Sequence, residues 1–145
     1  MWQKGITGIW LLMLSVSDIR KKSIPIWMFW VGLTAAAGIL FAEMIAGRLV
    51  ILSLLAAIWP GILFLGIAVI TKNVGCGDGI ALILLGLMSG QRLCQAAFMA
   101  GLLINSLFGI AVLILKKARK NTCIPFLPFL TMGWVIVEGF QFGRL

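Results

Sequence analysis

The sequence predicts an all-α integral membrane protein with six transmembrane helices, and its composition and its apolar runs both indicate this. Of the 145 residues, 62% are hydrophobic and 11% are charged, and the mean hydropathy is +1.15. A soluble domain is about 45–50% apolar and about 25% charged. Six spans of about 20 residues would use about 120 residues. The sequence therefore predicts a single membrane-embedded domain over 1–145, with no room for a soluble domain.

Six apolar runs follow one another along the chain, separated by short polar or basic stretches. They cover 5–17, 26–46, 49–70, 79–89, 93–115 and 124–142. The fourth run is short for a full crossing, so we expect it to be tilted or partly covered by protein. The first run has the basic start of a signal peptide, but the rest of the chain is equally hydrophobic and offers no soluble protein for export.

Basic residues are distributed unevenly between the two ends of these runs. The loops after the first, third and fifth runs carry eight Lys and Arg, and the other side carries four. The positive-inside rule then predicts that these three loops are cytoplasmic and that the N-terminus is outside. The net charge of +8 thus indicates orientation beside anionic lipid, and we expect no nucleic-acid partner.

The residue types that are missing exclude several classes of enzyme. The sequence has no His, which removes Ser-His and Cys-His nucleophilic pairs, HExxH zinc sites and His-ligated haem. Its three cysteines form no CxxC, so neither a zinc site nor a disulfide framework is expected. We therefore expect no metal and no cofactor. Acid–base chemistry is left to four carboxyl groups: Asp18, Asp78, Glu43 and Glu138.

The two aspartates are predicted to lie on the same side of the membrane. Asp18 closes the first run and Asp78 opens the fourth, both at cytoplasmic ends, whereas Glu43 and Glu138 lie near outer ends. Two carboxyls in a site of low dielectric share one proton, so one can activate water while the other polarises a carbonyl. Alternatively, each Asp caps a helix or pairs with a loop cation such as Arg20.

The sequence contains three local motifs, of which two include these acids. After Asp18 come Arg20 and Pro25, and Pro25 can start the next helix without loss because its missing N–H is not needed there. Asp78 stands among glycines, which allow a sharp turn and close approach of a substrate backbone. The second and third motifs are Gly75-Cys76-Gly77-Asp78-Gly79 and Ile124-Pro125-Phe126-Leu127-Pro128-Phe129-Leu130.

In this order, the three motifs resemble those of bacterial prepilin peptidases and their archaeal preflagellin relatives. The resemblance covers roughly 15–131. Its matching positions are Asp18, Arg20, Ile24 and Pro25; Gly75, Gly77, Asp78 and Gly86; and Pro125, Phe126, Pro128, Phe129 and Leu130. The GxGD pattern is shared with the more distant presenilin-like proteases.

The resemblance implies an intramembrane aspartic endopeptidase in the bacterial or archaeal cytoplasmic membrane, with Asp18 and Asp78 as the catalytic pair. It would cut type IV prepilins and pseudopilins after a glycine at the cytoplasmic face, removing a short basic leader. Glycines 75, 77 and 79 would shape the loop that presents Asp78. The supporting residues would be Arg20, Pro25, Pro125, Phe126 and Pro128.

The sequence departs from the family pattern at two positions that concern substrate preference. Ile80 and Ile26 stand where many members have Lys and Asn. The chain also lacks paired CxxC motifs and the N-methyltransferase region that carries them, so we expect peptidase activity without methylation. Two alternatives remain: a small transporter whose aspartates bind protons or cations, and a non-catalytic pilus or secretion assembly protein. A transporter would need polar residues through the depth of the membrane, and the predicted spans offer few apart from Asn105 and Ser106.

Packing is predicted at two further places. Gly101, Asn105 and Gly109 share one face of the fifth run and predict a close helix–helix contact, with Asn105 bridging to a neighbour. Trp59 and Trp134 lie deep within their runs and are predicted to pack in the interior.

Overall fold

A computed structural model of the chain describes residues 2–21, 25–47, 51–71, 76–115 and 126–142. Throughout these ranges the regular structure is helical, as the composition predicts. Each of the six apolar runs falls on one helix. The helices are α1 (Trp2–Lys21), α2 (Ile26–Ile45), α3 (Ile51–Thr71), α4 (Cys76–Ser89), α5 (Gln91–Ile114) and α6 (Leu127–Phe142).

Proline and glycine mark three helix boundaries. Pro25 precedes α2 in an extended conformation, with φ −68° and ψ 137°. Gly47, with φ 65°, follows α2, and Gly90, with φ 78°, is the single residue between α4 and α5. A positive φ is unfavourable for residues with a Cβ, so glycine suits both positions.

Three of the described helices are long and apolar enough to cross a membrane. They are Ile26–Ile45, Ile51–Ile70 and Gln91–Ile114, and Cys76–Ser89 and Leu127–Phe140 are shorter apolar helices. Large apolar side chains point outward along the bundle, including Ile70, which is 82% exposed. Such extensive apolar exposure indicates contact with lipid rather than with water.

The short α4 lies at the centre of the bundle. It contacts α1, α2, α3 and α5, and half of its 14 residues are buried. At about 1.5 Å per residue α4 is only about 21 Å long. The prediction that the fourth run is covered by protein agrees with this position.

Glycines bring α3 and α4 into backbone contact. A Cβ on Gly86 would lie 2.3 Å from the carbonyl oxygen of Ala57, and one on Gly61 would lie 2.7 Å from the backbone N of Ile83. Small residues of this kind allow membrane helices to approach closely and gain van der Waals contact. The position of α4 is therefore fixed by its backbone as well as by its side chains.

A second close contact joins α5 to α6, and it fits the predicted seam only in part. A Cβ on Gly133 would lie 2.6 Å from the carbonyl oxygen of Ala97, close to Gly101. Gly101 therefore lies in the seam. Gly109 has open space among the described residues, and the buried Oδ1 of Asn105 has no hydrogen-bond partner there. The predicted bridge is therefore not seen at this oxygen, although α5 and α6 still meet one turn further on, where the ring centroids of Phe108 and Phe129 are 5.2 Å apart.

Tryptophans bind α1 to its neighbours. The Nε1 of Trp10 donates a hydrogen bond to the carbonyl oxygen of Met28 at 3.1 Å, and its indole packs over Gly32.

The two tryptophans predicted to pack in the interior differ in exposure. Trp134 is 8% exposed, as predicted, but Trp59 is 61% exposed. The prediction for Trp59 is wrong because α3 packs on one side only, and depth along a helix does not specify which side a residue occupies.

Candidate active site

Asp18 lies near the end of α1 on the buried face of that helix. It is 8% exposed and follows Leu11, Leu14 and Ser15, which are also buried, at helical spacing. The residues that α1 needs for packing therefore also carry this carboxylate into the bundle. Its Oδ2 atom is buried and has no hydrogen-bond partner among the described residues.

The start of α6 meets Asp18 through a backbone donor. The N–H of Leu127, the first residue of α6, donates a hydrogen bond to the Asp18 carboxylate. The first N–H groups of a helix have no partner within it and favour negative charge nearby. Pro128 has no N–H, and the N–H groups of Phe129 and Leu130 bond to the carbonyl oxygen of Phe126. The geometry thus leaves Leu127 free to serve Asp18.

Aromatic packing holds this start of α6 in place. Phe126 is 5% exposed and stacks on Phe64 of α3, with ring centroids 5.1 Å apart. Phe98 of α5 meets both rings nearly edge-on, at 5.9 Å from Phe64 and 6.4 Å from Phe126. Such pairs contribute about 0.5–1.5 kcal/mol beyond their buried area. The cluster therefore fixes the residue that precedes the donor to Asp18.

Asp78 lies in the first turn of α4, where the helix dipole favours a carboxylate. Its charge interacts with that of Asp18, so the two side chains lie near each other although α1 and α4 are far apart in sequence. Two ionised carboxylates in a site shielded from water repel each other, and such a pair binds one proton more readily than none. The arrangement can supply one ionised and one protonated carboxyl group.

The other predicted site residues are placed as follows. Gly77 and Gly79 belong to the first turn of α4, so the prediction that they form a loop is wrong. The small size of Gly79 instead admits α3, because its Cβ would lie 3.0 Å from the Cα of Leu65. Gly75 and Pro125 lie outside the described residues.

Arg20 and Pro25 lie apart from the aspartates. Arg20 is exposed, and among the described residues it forms no ion pair with Asp18. This disfavours the alternative in which Asp18 serves as its partner. Pro25 caps the start of α2. Among the described residues, no three His, Cys, Asp or Glu side chains come together as a metal site would require.

Comparison with curated proteins finds relatives along nearly the whole chain. It is 30% identical to the prepilin leader peptidase/N-methyltransferase of Pseudomonas aeruginosa over 99% of this chain and 52% of that protein. The identically named protein of Bacillus subtilis is 33% identical over 87% of this chain and 50% of its own length. The chain belongs to the prepilin leader peptidase family. It spans about half the length of these relatives.

The Stutzerimonas stutzeri protein of the same name is 29% identical over 92% of this chain. No family model matches the chain, and no solved structure matches it significantly. Membership of the prepilin leader peptidase family, together with the long apolar helices, indicates a multi-pass membrane protein.

The two glutamates of this prepilin peptidase homologue lie away from the aspartates, as predicted. Glu138 forms a salt bridge with Lys4 near the start of α1, and Gln3 Nε2 donates to Glu43 Oε1 at 3.5 Å. Both acids therefore hold the opposite end of α1. This role of the glutamates is not evident from the sequence, and neither is the Leu127 donor, because a backbone N–H has no signature in residue type.

Proposed function

We propose that the chain is an intramembrane aspartic endopeptidase that removes the short basic leader from type IV prepilin-like precursors. The observation that carries the proposal is the proximity of Asp18 and Asp78. These two acids come from separate helices, and their charges interact. The names of the relatives support leader cleavage as the reaction. The methyl transfer that those names also record is attributed to those proteins only.

Asp18 is proposed as the general base. Burial opposes the charge on Asp18, but the N–H of Leu127 stabilises its ionised form, so we propose that Asp78 holds the proton when the pair binds one. The unpartnered Oδ2 of Asp18 is the atom that would take a proton from the attacking water. Asp78 would donate its hydrogen bond to the scissile carbonyl oxygen, where negative charge develops.

The proposed reaction then runs through a tetrahedral intermediate. Water oxygen bonds to the carbonyl carbon while its proton passes to Asp18 and the Asp78 proton moves to the carbonyl oxygen. When the intermediate collapses, the C–N bond breaks and the proton held by Asp18 passes to the leaving nitrogen. The hydroxyl proton returns to Asp78, so the pair is restored and no metal or cofactor is required.

The proposed topology has six spans, with the loops after α1, α3 and α5 in the cytoplasm of a bacterial or archaeal cell. Asp18 lies near the end of α1 and Asp78 near the start of α4, so both would lie at the cytoplasmic face. The positive-inside rule would keep a basic leader on the same side of the membrane. The precursor's apolar helix would approach through lipid. The transporter alternative is not favoured, since the described spans offer little polar lining apart from Asn105.

Co-expression with a type IV prepilin tests the proposal. Leader removal is followed on a gel for the unaltered chain, Asp18→Asn, Asp78→Asn and the control Glu43→Gln. General acid–base catalysis contributes about 10²–10⁴-fold, so both Asn variants should lose cleavage to that extent while the control retains it. Cleavage at an unchanged rate by either Asn variant would overturn the aspartic mechanism. Thermal unfolding of each purified variant checks that the loss is not due to misfolding.

A further inference from the structure

A groove separates the end of α1 from the start of α2 on the outside of the bundle. Its volume is about 460 Å³, within the range of about 300–1,000 Å³ typical of small-molecule sites. Apolar side chains form most of its wall, and among the described residues that line it one is charged and stands at one end. Among the lining residues are Leu12, Met13, Val16, Arg20, Trp27 and Met28.

This groove faces away from the proposed catalytic pair. Leu12, Val16 and Arg20 are spaced by four residues and form one exposed stripe along α1. Asp18 lies on the buried face with Leu14, and at about 100° per residue the two faces lie on opposite sides of the helix. The groove is therefore a separate surface and not an extension of the aspartate site.

The groove is apolar along most of its length and basic at one end, so its chemistry is complementary to an amphiphilic ligand. Leu12 is 57% exposed and Val16 49%, and both offer apolar wall to a ligand. Arg20 is exposed and has no ion-pair partner among the described residues, so its charge is available at the groove's end. Trp27, 53% exposed, lies beside it, as tryptophan commonly does at the level of lipid headgroups. The complementary ligand has an anionic head and an apolar tail.

The dimensions favour a lipid over a helix. The stripe from Leu12 to Arg20 spans about 12 Å, comparable to the roughly 15 Å hydrocarbon thickness of one leaflet. A helix of that length and about 10 Å diameter would occupy about 900 Å³. The volume of about 460 Å³ is half of this and suits a narrower acyl chain.

We infer that the groove binds an anionic phospholipid, with the phosphate on Arg20 and one acyl chain along Leu12, Met13 and Val16. Arginine pairs well with phosphate because its planar guanidinium can donate two parallel hydrogen bonds. Anionic lipid is abundant on the side of the membrane where Arg20 is proposed to lie. The bound lipid would seal the contact between α1 and α2.

Native mass spectrometry of the purified full chain tests this inference, with phosphatidylglycerol and phosphatidylcholine as separate probes. Phosphatidylglycerol should bind in preference, and Arg20→Gln should weaken its binding about fivefold, which corresponds to about 1 kcal/mol for one cation at an anionic surface. Val16→Trp should fill the groove and reduce binding of the tail. Arg92→Gln and Leu103→Trp alter an exposed cation and an exposed apolar residue outside the groove, and both should bind as the unaltered chain does.

Four results would overturn the inference. Equal binding of the two lipids, or equal loss in Arg20→Gln and Arg92→Gln, would show that no anionic site is built around Arg20. Retained binding in Val16→Trp would place the lipid elsewhere. A dimer that Val16→Trp dissociates would make the groove an interface between copies of the chain. Because the readout is lipid mass and requires no cleavage, its failure would leave the proposed peptidase activity unaffected.

Discussion

The backbone N–H of Leu127 donates a hydrogen bond to the carboxylate of Asp18, joining the first turn of α6 to the last turns of α1. This contact connects the Phe126–Pro128 region to the proposed catalytic pair through the main chain. It explains how a motif without a titratable side chain can bear on acid–base chemistry. Its strength depends on the position of α6, which the ring contacts of Phe126 with Phe64 and Phe98 hold.

Removing this donor should slow cleavage. Leu127→Pro has no N–H, and we expect kcat/KM for a prepilin to fall by about 10- to 100-fold, because hydrogen bonds to charged groups contribute about 1.5–3 kcal/mol. Leu127→Ala keeps the N–H and loses only the buried side chain. An equal loss in the two variants, after correction for the folded fraction, would assign the effect to packing.

The proton shared by Asp18 and Asp78 should give a cleavage rate that rises and then falls with pH. At low pH both carboxyls are protonated and no base remains, and at high pH both are ionised and no acid remains. The profile is measured as kcat/KM in detergent, with unfolding followed at each pH to mark where the protein is stable. A rate that stays level at high pH would mean that a single carboxylate is sufficient.

Adding a methyl group at Gly86 should destabilise the bundle. Its Cβ would lie 2.3 Å from the carbonyl oxygen of Ala57, which backbone geometry holds in place, so Gly86→Ala should lower the free energy of unfolding by about 1–3 kcal/mol. Gly66→Ala lies in α3 with open space around its Cβ and should be neutral or stabilising. Unfolding in increasing SDS measures both. Equal midpoints would mean that α3 and α4 are less closely packed than described.

The salt bridge between Lys4 and Glu138 should show coupling in a double-mutant cycle. Glu138 is largely buried, so Lys4→Met leaves a carboxylate without its partner and should cost about 1–3 kcal/mol. With Glu138→Gln in the background, the same change should cost less, because no buried charge remains. Additive effects on the unfolding free energy would show that the pair makes no net contribution. Arg92→Met controls for loss of a cation elsewhere.

Much of this arrangement is predictable from the sequence, because membrane helices must be long and apolar. The six runs fall on six helices of the described chain. Asp18 and Asp78 both lie near helix ends, and their charges interact. Both positions follow from where apolar residues stop. The separation of Glu43 and Glu138 from the aspartates follows in the same way.

Other features depend on which face of a helix meets which neighbour, and hydropathy does not reveal this. Trp59 and Trp134 are equally deep in sequence, yet one is exposed and the other buried. Gly79 was predicted to shape a loop. It lies in α4 instead, where its lack of a Cβ lets Leu65 of α3 come close to the α4 backbone. In a lipid environment, where both faces of a helix can be apolar, pattern alone does not identify the packed face.

The groups of the proposed site come from the first, fourth and sixth helices. A nascent chain would therefore carry Asp18 well before Asp78 is synthesised, and both aspartates before the Leu127 donor arrives. The proposed site would therefore be complete only once α6 has been synthesised. The order of helices along the chain would thus keep the proposed peptidase inactive until its last contributing helix is in place.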